Sequence, residues 1–180
     1  ETAETSEEVR RNWDAAKQVE KQRDGVMEGL PLAMPALARA ARVTGRAARV
    51  GYDFPDRRML FDKLNEELAE LAVELFGEGE VVEVPARVDA EVVEDQALAE
   101  EVRDRAEAEI GDVLFVMANI ARRWGVNAEE ALRRSTRKFE RRFRSIETGL
   151  AEQGTDVQRA SLVEMEEVYQ AAKAAETNGD

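Results

Sequence analysis

Between residues 56 and 76 apolar side chains return every three or four positions. Leu60, Phe61, Leu64, Leu68, Leu71 and Leu75 fall on one side of a helix, and Lys63, Glu66, Glu70 and Glu74 on the other. The pattern predicts a helix from Asp56 to Phe76, with Pro55 suited to its first turn and Gly77 and Gly79 ending it. Further along, Val113 to Ala121 (VLFVMANIA) carries no charge at all. A helix apolar on every side is normally enclosed by others, so this one is expected at the centre of a bundle. Trp124-Gly125 stops it, and Asn127 is a good N-cap for the next helix, Ala128 to Gly149, amphipathic through Ala131, Leu132, Phe139, Phe143 and Ile146. Thinner patterns predict a first helix over Glu7 to Gly29, capped by Ser6 and anchored by Trp13, Val19, Val26 and Met27. Another is expected over Ala36 to Val50, where Arg39, Arg42, Arg46 and Arg49 share a face, and a last one over Ser161 to Ala175 before a polar tail from about residue 176. Residues 77–105 are the least regular stretch: acidic, holding Pro85 and a β-like run at Val81 to Val84, an excursion leading into helix at about Ala90.

Composition narrows the chemistry. Residues 1–180 fit one domain. Only 6% aromatic residues and 4 prolines, beside abundant Ala, Glu, Arg and Leu, point to an all-α fold. The absence of cysteine excludes a disulfide scaffold, a thiol nucleophile and a thiolate metal site. The absence of histidine removes imidazole bases, serine-histidine triads and the usual zinc ligand. Carboxylate, amine, guanidinium and hydroxyl chemistry remains. A net charge of -13 disfavours non-specific nucleic-acid binding and favours captured cations. No apolar run reaches the roughly 18 residues of a membrane helix and Glu1 to Arg10 has no signal-peptide core, so a cytoplasmic protein with no membrane partner is expected. A chain starting at Glu1 reads as a trimmed one or one unit of something longer.

Three constellations can carry chemistry. In Glu66-Glu67-x-x-Glu70 helical spacing stacks two or three carboxylates within reach of one ion, although helix surfaces carry such glutamates as plain solvated charge. Glu109-x-x-Asp112 repeats the spacing at the entrance to the uncharged helix. A carboxylate carried into a packing centre there needs a cation or a salt bridge to a basic helix. The third is Arg137-Lys138-Phe139-Glu140-Arg141-Arg142, in which Lys138 and Arg142 lie four apart and can converge on a phosphate chain. It lies within Arg122 to Arg144, a stretch of nine basic and three acidic residues that otherwise serves to neutralise the acidic helices.

Taken together, the blocks resemble a family. Arg46-Ala47-Ala48-Arg49-Val50-Gly51-Tyr52-Asp53-Phe54-Pro55-Asp56, Lys63-Leu64-Asn65-Glu66-Glu67, Glu109-Ile110-Gly111-Asp112-Val113-Leu114-Phe115, and Ala131 to Arg134 followed by Lys138 to Phe143 stand in the order found in MazG-type nucleoside triphosphate pyrophosphohydrolases. These belong to the all-α pyrophosphatases, and the likeness runs from about Trp13 to Lys173. The resemblance implies a helical bundle completed by dimerisation. It implies magnesium, with manganese as a substitute, on Glu67, Glu70, Glu109 and Asp112, with Glu66 completing the first acidic motif. Lys63, Lys138 and Arg142 would contact phosphates, and Tyr169 stands where the family usually has a tryptophan near the nucleotide. Three departures stand out: Ala108 replaces the first acid of the second pair, the 77–105 excursion is long, and Phe54 and Tyr169 replace common tryptophans.

The expected activity is magnesium-dependent hydrolysis of a nucleoside triphosphate to the monophosphate and pyrophosphate by a homodimer. Lys138 and Arg142 would stabilise the leaving group, and Glu66 or Glu70 would steer the proton of the attacking water. Two rivals stand beside it: a nucleotide sensor with weak turnover, which Ala108 favours, and a helical interaction protein whose segregated charges serve assembly alone.

Overall fold

The computed structural model describes residues 25–79 and 97–177. Five helices account for most of them: α1 (Ala36–Arg49), α2 (Met59–Phe76), α3 (Glu100–Arg123), α4 (Ala128–Glu152) and α5 (Leu162–Thr177), and no strand occurs among the described residues. The fold is all-α. Most of the expected first helix lies outside the described residues, and its last five, 25–29, form a turn. The β-like run at Val81 to Val84 and the helix start near Ala90 also lie outside; the described helix begins at Glu100.

Local chemistry sets each boundary. Pro35 sits at the N-cap of α1, where its missing N–H leaves no donor unsatisfied. α2 begins at Met59 and not at Asp56, because Asp56 acts as the preceding turn: its Oδ1 accepts from the Arg58 backbone N–H at 2.8 Å and its carbonyl from Met59 at 3.1 Å. α2 closes on Gly77, whose φ of 75° is open to glycine at little cost, with its N–H on the Val73 carbonyl at 2.8 Å. Asn127 caps α4 as its sequence predicts, accepting from the Glu130 N–H at 3.1 Å. Ser161 and Glu164 form a reciprocal box at the start of α5: Ser161 N–H donates to Glu164 Oε2 at 2.7 Å and Glu164 N–H to Ser161 Oγ at 3.3 Å.

α3 is the spine, with α1 and α2 packed against it, while α4 pairs with α5 and touches α1 and α3. Leu60, Ala72, Ala106, Val116 and Ala118 fill the first group, and Ile146 and Leu150 the second. Small residues let backbones approach: a Cβ on Gly149 would stand 2.8 Å from Val168 Cγ1, so glycine sets how closely α4 meets α5.

The uncharged segment of α3 departs from expectation. Val116, Ala118 and Asn119 are buried, but Leu114, Phe115 and Met117 are 47%, 41% and 45% exposed. Among the described residues only one side of this helix is covered, since α1 and α2 lie on that side and α4 diverges. On α2, likewise, Leu60 is buried while Phe61, Leu68 and Leu75 remain exposed, and residues 131–141 of α4 are exposed throughout. No described helix is long and apolar enough to cross a membrane.

Candidate functional site

The two acidic motifs meet where α2 packs on α3. Glu67, Glu109 and Asp112 each place a carboxylate oxygen within 4.8 Å of the others. Helical periodicity brings this about: Glu109 and Asp112 are three apart on α3 and present a common face to α2, where Glu67 projects inward. Burial falls differently from the sequence expectation. Glu67 is the enclosed acid, 5% exposed, whereas Glu109 is half-buried and Asp112 exposed, because the latter pair lies on the rim of the helix contact. Neither Glu109 nor Asp112 has an ion pair among the described residues, so within one chain the basic helix does not neutralise them.

Three hard oxygens fit a small divalent cation. Ligands about 2.1 Å from magnesium lie about 3 Å apart when adjacent and about 4 Å apart when opposed, so the trio needs only slight closure around an ion. Lys63 answers part of the charge: its ammonium lies 2.8 Å from Glu66 Oε1 and 2.8 Å from Glu67 Oε1. Those two carboxylates hold the Lys63 proton more tightly than in water. Glu70, the fourth expected ligand, stands outside the trio. Its carboxyl is raised above the ordinary glutamate value, first by partial loss of water and then by the negative charges of Glu67 and Glu109.

Beside the trio opens a cavity of about 630 Å³ between α1, the α1–α2 loop, α2 and α3. Glu67, Asp112 and Lys63 line it together with Tyr52, Phe54, Leu60, Phe115 and Asn119. The loop wall is clamped from α3. Asp53 Oδ2 accepts from Arg122 Nη2 at 2.8 Å and from Arg123 Nη1 at 2.9 Å, and Arg123 Nη1 also donates to the Phe54 carbonyl at 2.8 Å. Burial pushes the Asp53 carboxyl up, but the hydrogen bonds from Arg122, the Phe54 N–H and Arg123 together bring it below its ordinary value. No sequence spacing joins Asp53, Asn119 and Arg122; their one trace is an asparagine, a poor helix former, inside an otherwise apolar run.

The expected phosphate contacts on the basic helix form a second locality. Arg142 stacks over Tyr169, guanidinium carbon 5.7 Å from the ring centroid, and its Nη2 lies 2.8 Å from Glu176 Oε2. Lys138 is exposed on the same helix, and neither it, Arg142 nor Tyr169 lines the cavity. α4 and α2 make no contact among the described residues. Within one chain, therefore, Lys63 alone of the expected phosphate contacts stands beside the acids.

Known proteins place this arrangement in a family. Residues 57–146 match the MazG nucleotide pyrophosphohydrolase domain, a span holding all four expected metal ligands and the two expected phosphate contacts of α4, Lys138 and Arg142. The chain is 36% identical over 178 residues to a nucleoside triphosphate pyrophosphohydrolase of Escherichia coli strain K12, covering 97% of this chain and 60% of that protein. To the nucleoside triphosphate pyrophosphohydrolase/pyrophosphatase MazG of Thermotoga maritima it is 29% identical over 171 residues, covering 92% of this chain and 56% of that protein. A shorter likeness, 41% over 69 residues, joins 38% of the chain to 14% of the uncharacterized protein YabN of Bacillus subtilis. The chain thus spans somewhat more than half the length of the first two relatives. With an acid trio on two packed helices, a flanking cavity and this similarity along nearly its whole length, the chain belongs to the MazG nucleotide pyrophosphohydrolase family.

Proposed function

We propose that this chain hydrolyses nucleoside triphosphates between the α and β phosphates, releasing a nucleoside monophosphate and pyrophosphate. The observation that carries the reading is the gathering of Glu67, Glu109 and Asp112 from two helices at the mouth of a cavity of nucleoside size. Glu67, Glu109 and Asp112 would hold magnesium, or manganese in its place, with Glu70 adjoining. The ion, when bound, would neutralise phosphate charge and lower the pKa of a coordinated water.

The chain's own groups supply the remaining parts. Lys63 is bound to Glu67 and can turn its ammonium to a phosphate oxygen once a cation relieves it of that carboxylate. Glu70, with no ion pair among the described residues, is the freer of Glu66 and Glu70 to take a proton from attacking water, since Glu66 is engaged by Lys63 at 2.8 Å. The apolar and aromatic walls of the cavity exclude water from the nucleoside portion.

The enzyme is read as a homodimer. Exposed Leu114 and Met117 on α3, Leu68 on α2 and Phe139 on α4 offer apolar faces that the described residues leave uncovered. A second copy would also bring Lys138 and Arg142 toward the acids, which α4 does not approach within its own chain. One observation favours a sensor with little turnover: Ala108 sits where a further carboxylate of the second motif is expected.

A panel of ribo- and deoxyribonucleoside triphosphates with magnesium separates the readings. Equimolar monophosphate and pyrophosphate, with turnover lost in folded Glu67→Gln and Asp112→Asn, is the expected result. Tight binding without product would favour the sensor, and orthophosphate as the first product would overturn the assigned bond.

A further inference from the structure

We propose that Asn119 reads the nucleobase, its side-chain amide donating a hydrogen bond to a carbonyl oxygen on the base. The inference rests on the triphosphate reading and adds to it the feature of the substrate that the buried end of the cavity selects.

Asn119 lies on α3, is 6% exposed and lines the cavity. Its orientation is forced. Arg122 Nε and Nη2 donate to Asn119 Oδ1 at 2.9 and 2.7 Å, and a guanidinium has only donors, so the amide cannot be reversed. Arg122 is itself fixed, since Nη2 also donates to Asp53 Oδ2 at 2.8 Å. The clamp consumes the acceptor of Asn119 and leaves its NH2 with no partner among the described residues.

Among the described residues no lining group accepts a hydrogen bond from that NH2. Leu60, Phe115 and Val116 are apolar, and the Thr44 hydroxyl donates to the Ala40 carbonyl of its own helix at 3.0 Å. The amide nitrogen is not sealed from solvent but opens onto the cavity, where a ligand acceptor can take the place of water. Distance along the spine is suited to a nucleotide: Asn119 stands seven residues from Asp112, roughly 10 Å at the helical rise. Phosphates held at the acid trio would thus place the base edge near the amide. A carbonyl oxygen projects beyond the ring and is a strong neutral acceptor. Hypoxanthine, guanine and the pyrimidines carry one; adenine carries none.

Inosine and adenosine triphosphates have the same shape and differ at the base edge, so kcat/KM for the two, measured with magnesium on the full chain, tests the assignment. The wild type is expected to favour the inosine nucleotide by about tenfold, the discrimination due to one satisfied or orphaned hydrogen bond. In Asn119→Leu, of similar size and without a donor, the ratio should fall to within about twofold of unity, the change appearing mainly in KM. Asn119→Asp presents an acceptor and should tilt the ratio toward adenosine. Melting curves verify folding, and the wild-type ratio stands without either variant. Near-equal handling by the wild type, an unchanged ratio in both folded variants, or discrimination at the 2′-hydroxyl instead of the base would overturn the inference alone. Wild-type turnover of no triphosphate at all would overturn the activity as well.

Discussion

Removing one buried carboxylate from the acid trio should abolish most of the stabilisation that magnesium gives the fold. Carboxylate oxygens within 4.8 Å of one another repel by about 3.5 kcal/mol per pair or more at an effective dielectric of about 20, less where exposed Asp112 is screened by water. Lys63 offsets part of this from 2.8 Å, and a divalent ion offsets the rest. Binding to the folded state alone at a hundred times the dissociation constant adds about 2.7 kcal/mol, which for a chain of this size raises the melting temperature by about 5–11 °C. Glu67→Gln removes the enclosed ligand while keeping its shape. If it weakens binding about a hundredfold, the same magnesium concentration adds only about 0.4 kcal/mol, a shift of one or two degrees. The assay is thermal unfolding followed by circular dichroism, in EDTA and in magnesium, with sodium chloride at matched ionic strength and with Glu101→Gln, an exposed acid elsewhere on α3, as the control. Glu101→Gln should keep the full shift. An equal shift in Glu67→Gln, or one reproduced by sodium chloride, refutes the reasoning.

Other expectations follow from the same geometry. Asp53→Asn should destabilise the fold by about 2 kcal/mol at neutral pH, because it weakens the hold of Arg122 and Arg123 on the α1–α2 loop. The folded-state pKa of Asp53 is lowered, so its contribution is complete above the unfolded value and fades as pH falls through the folded one. Chemical denaturation from pH 7 to 3 should show the variant converging on wild type below about pH 4; a constant difference would count against the ion pair. Asn127→Ala should cost about 1 kcal/mol through loss of the α4 cap, seen as a lower urea midpoint with an unchanged slope. In sedimentation equilibrium the chain should have twice its monomer mass, and Leu114→Lys, a charge on the exposed face of α3, should shift it toward monomer.

The legible part of the molecule was the part written locally. The 3.6-residue period of α2, the Asn127 cap, the Gly77 stop and the i, i+3 spacing of Glu109 and Asp112 all act within a turn or two, and each emerged near its predicted place. The order of blocks pointed to the family, and residues 57–146 bear that out. Tertiary facts were not legible. Asp53 and Arg122 are 69 positions apart, and no periodicity joins an aspartate in a turn to an arginine at a helix end. The centrality of α3 is legible in its uncharged run, but its exposed apolar side is not, because hydrophobicity says that a surface needs covering, not which chain covers it. Burial of Glu67 in place of Glu109 and Asp112 turned on how α2 rotates against α3, which spacing along either helix leaves open.

The central claim is that acids of α2 and α3 share one divalent ion that carries the polyphosphate. Crystals grown with manganese and a non-hydrolysable nucleoside triphosphate, with data collected at the manganese absorption edge, test it most directly. An anomalous peak should lie between Glu67, Glu109 and Asp112, with phosphate oxygens in its coordination shell and the base toward Asn119. A nucleotide bound with its phosphates elsewhere, or a peak that does not touch these three carboxylates, would contradict the account.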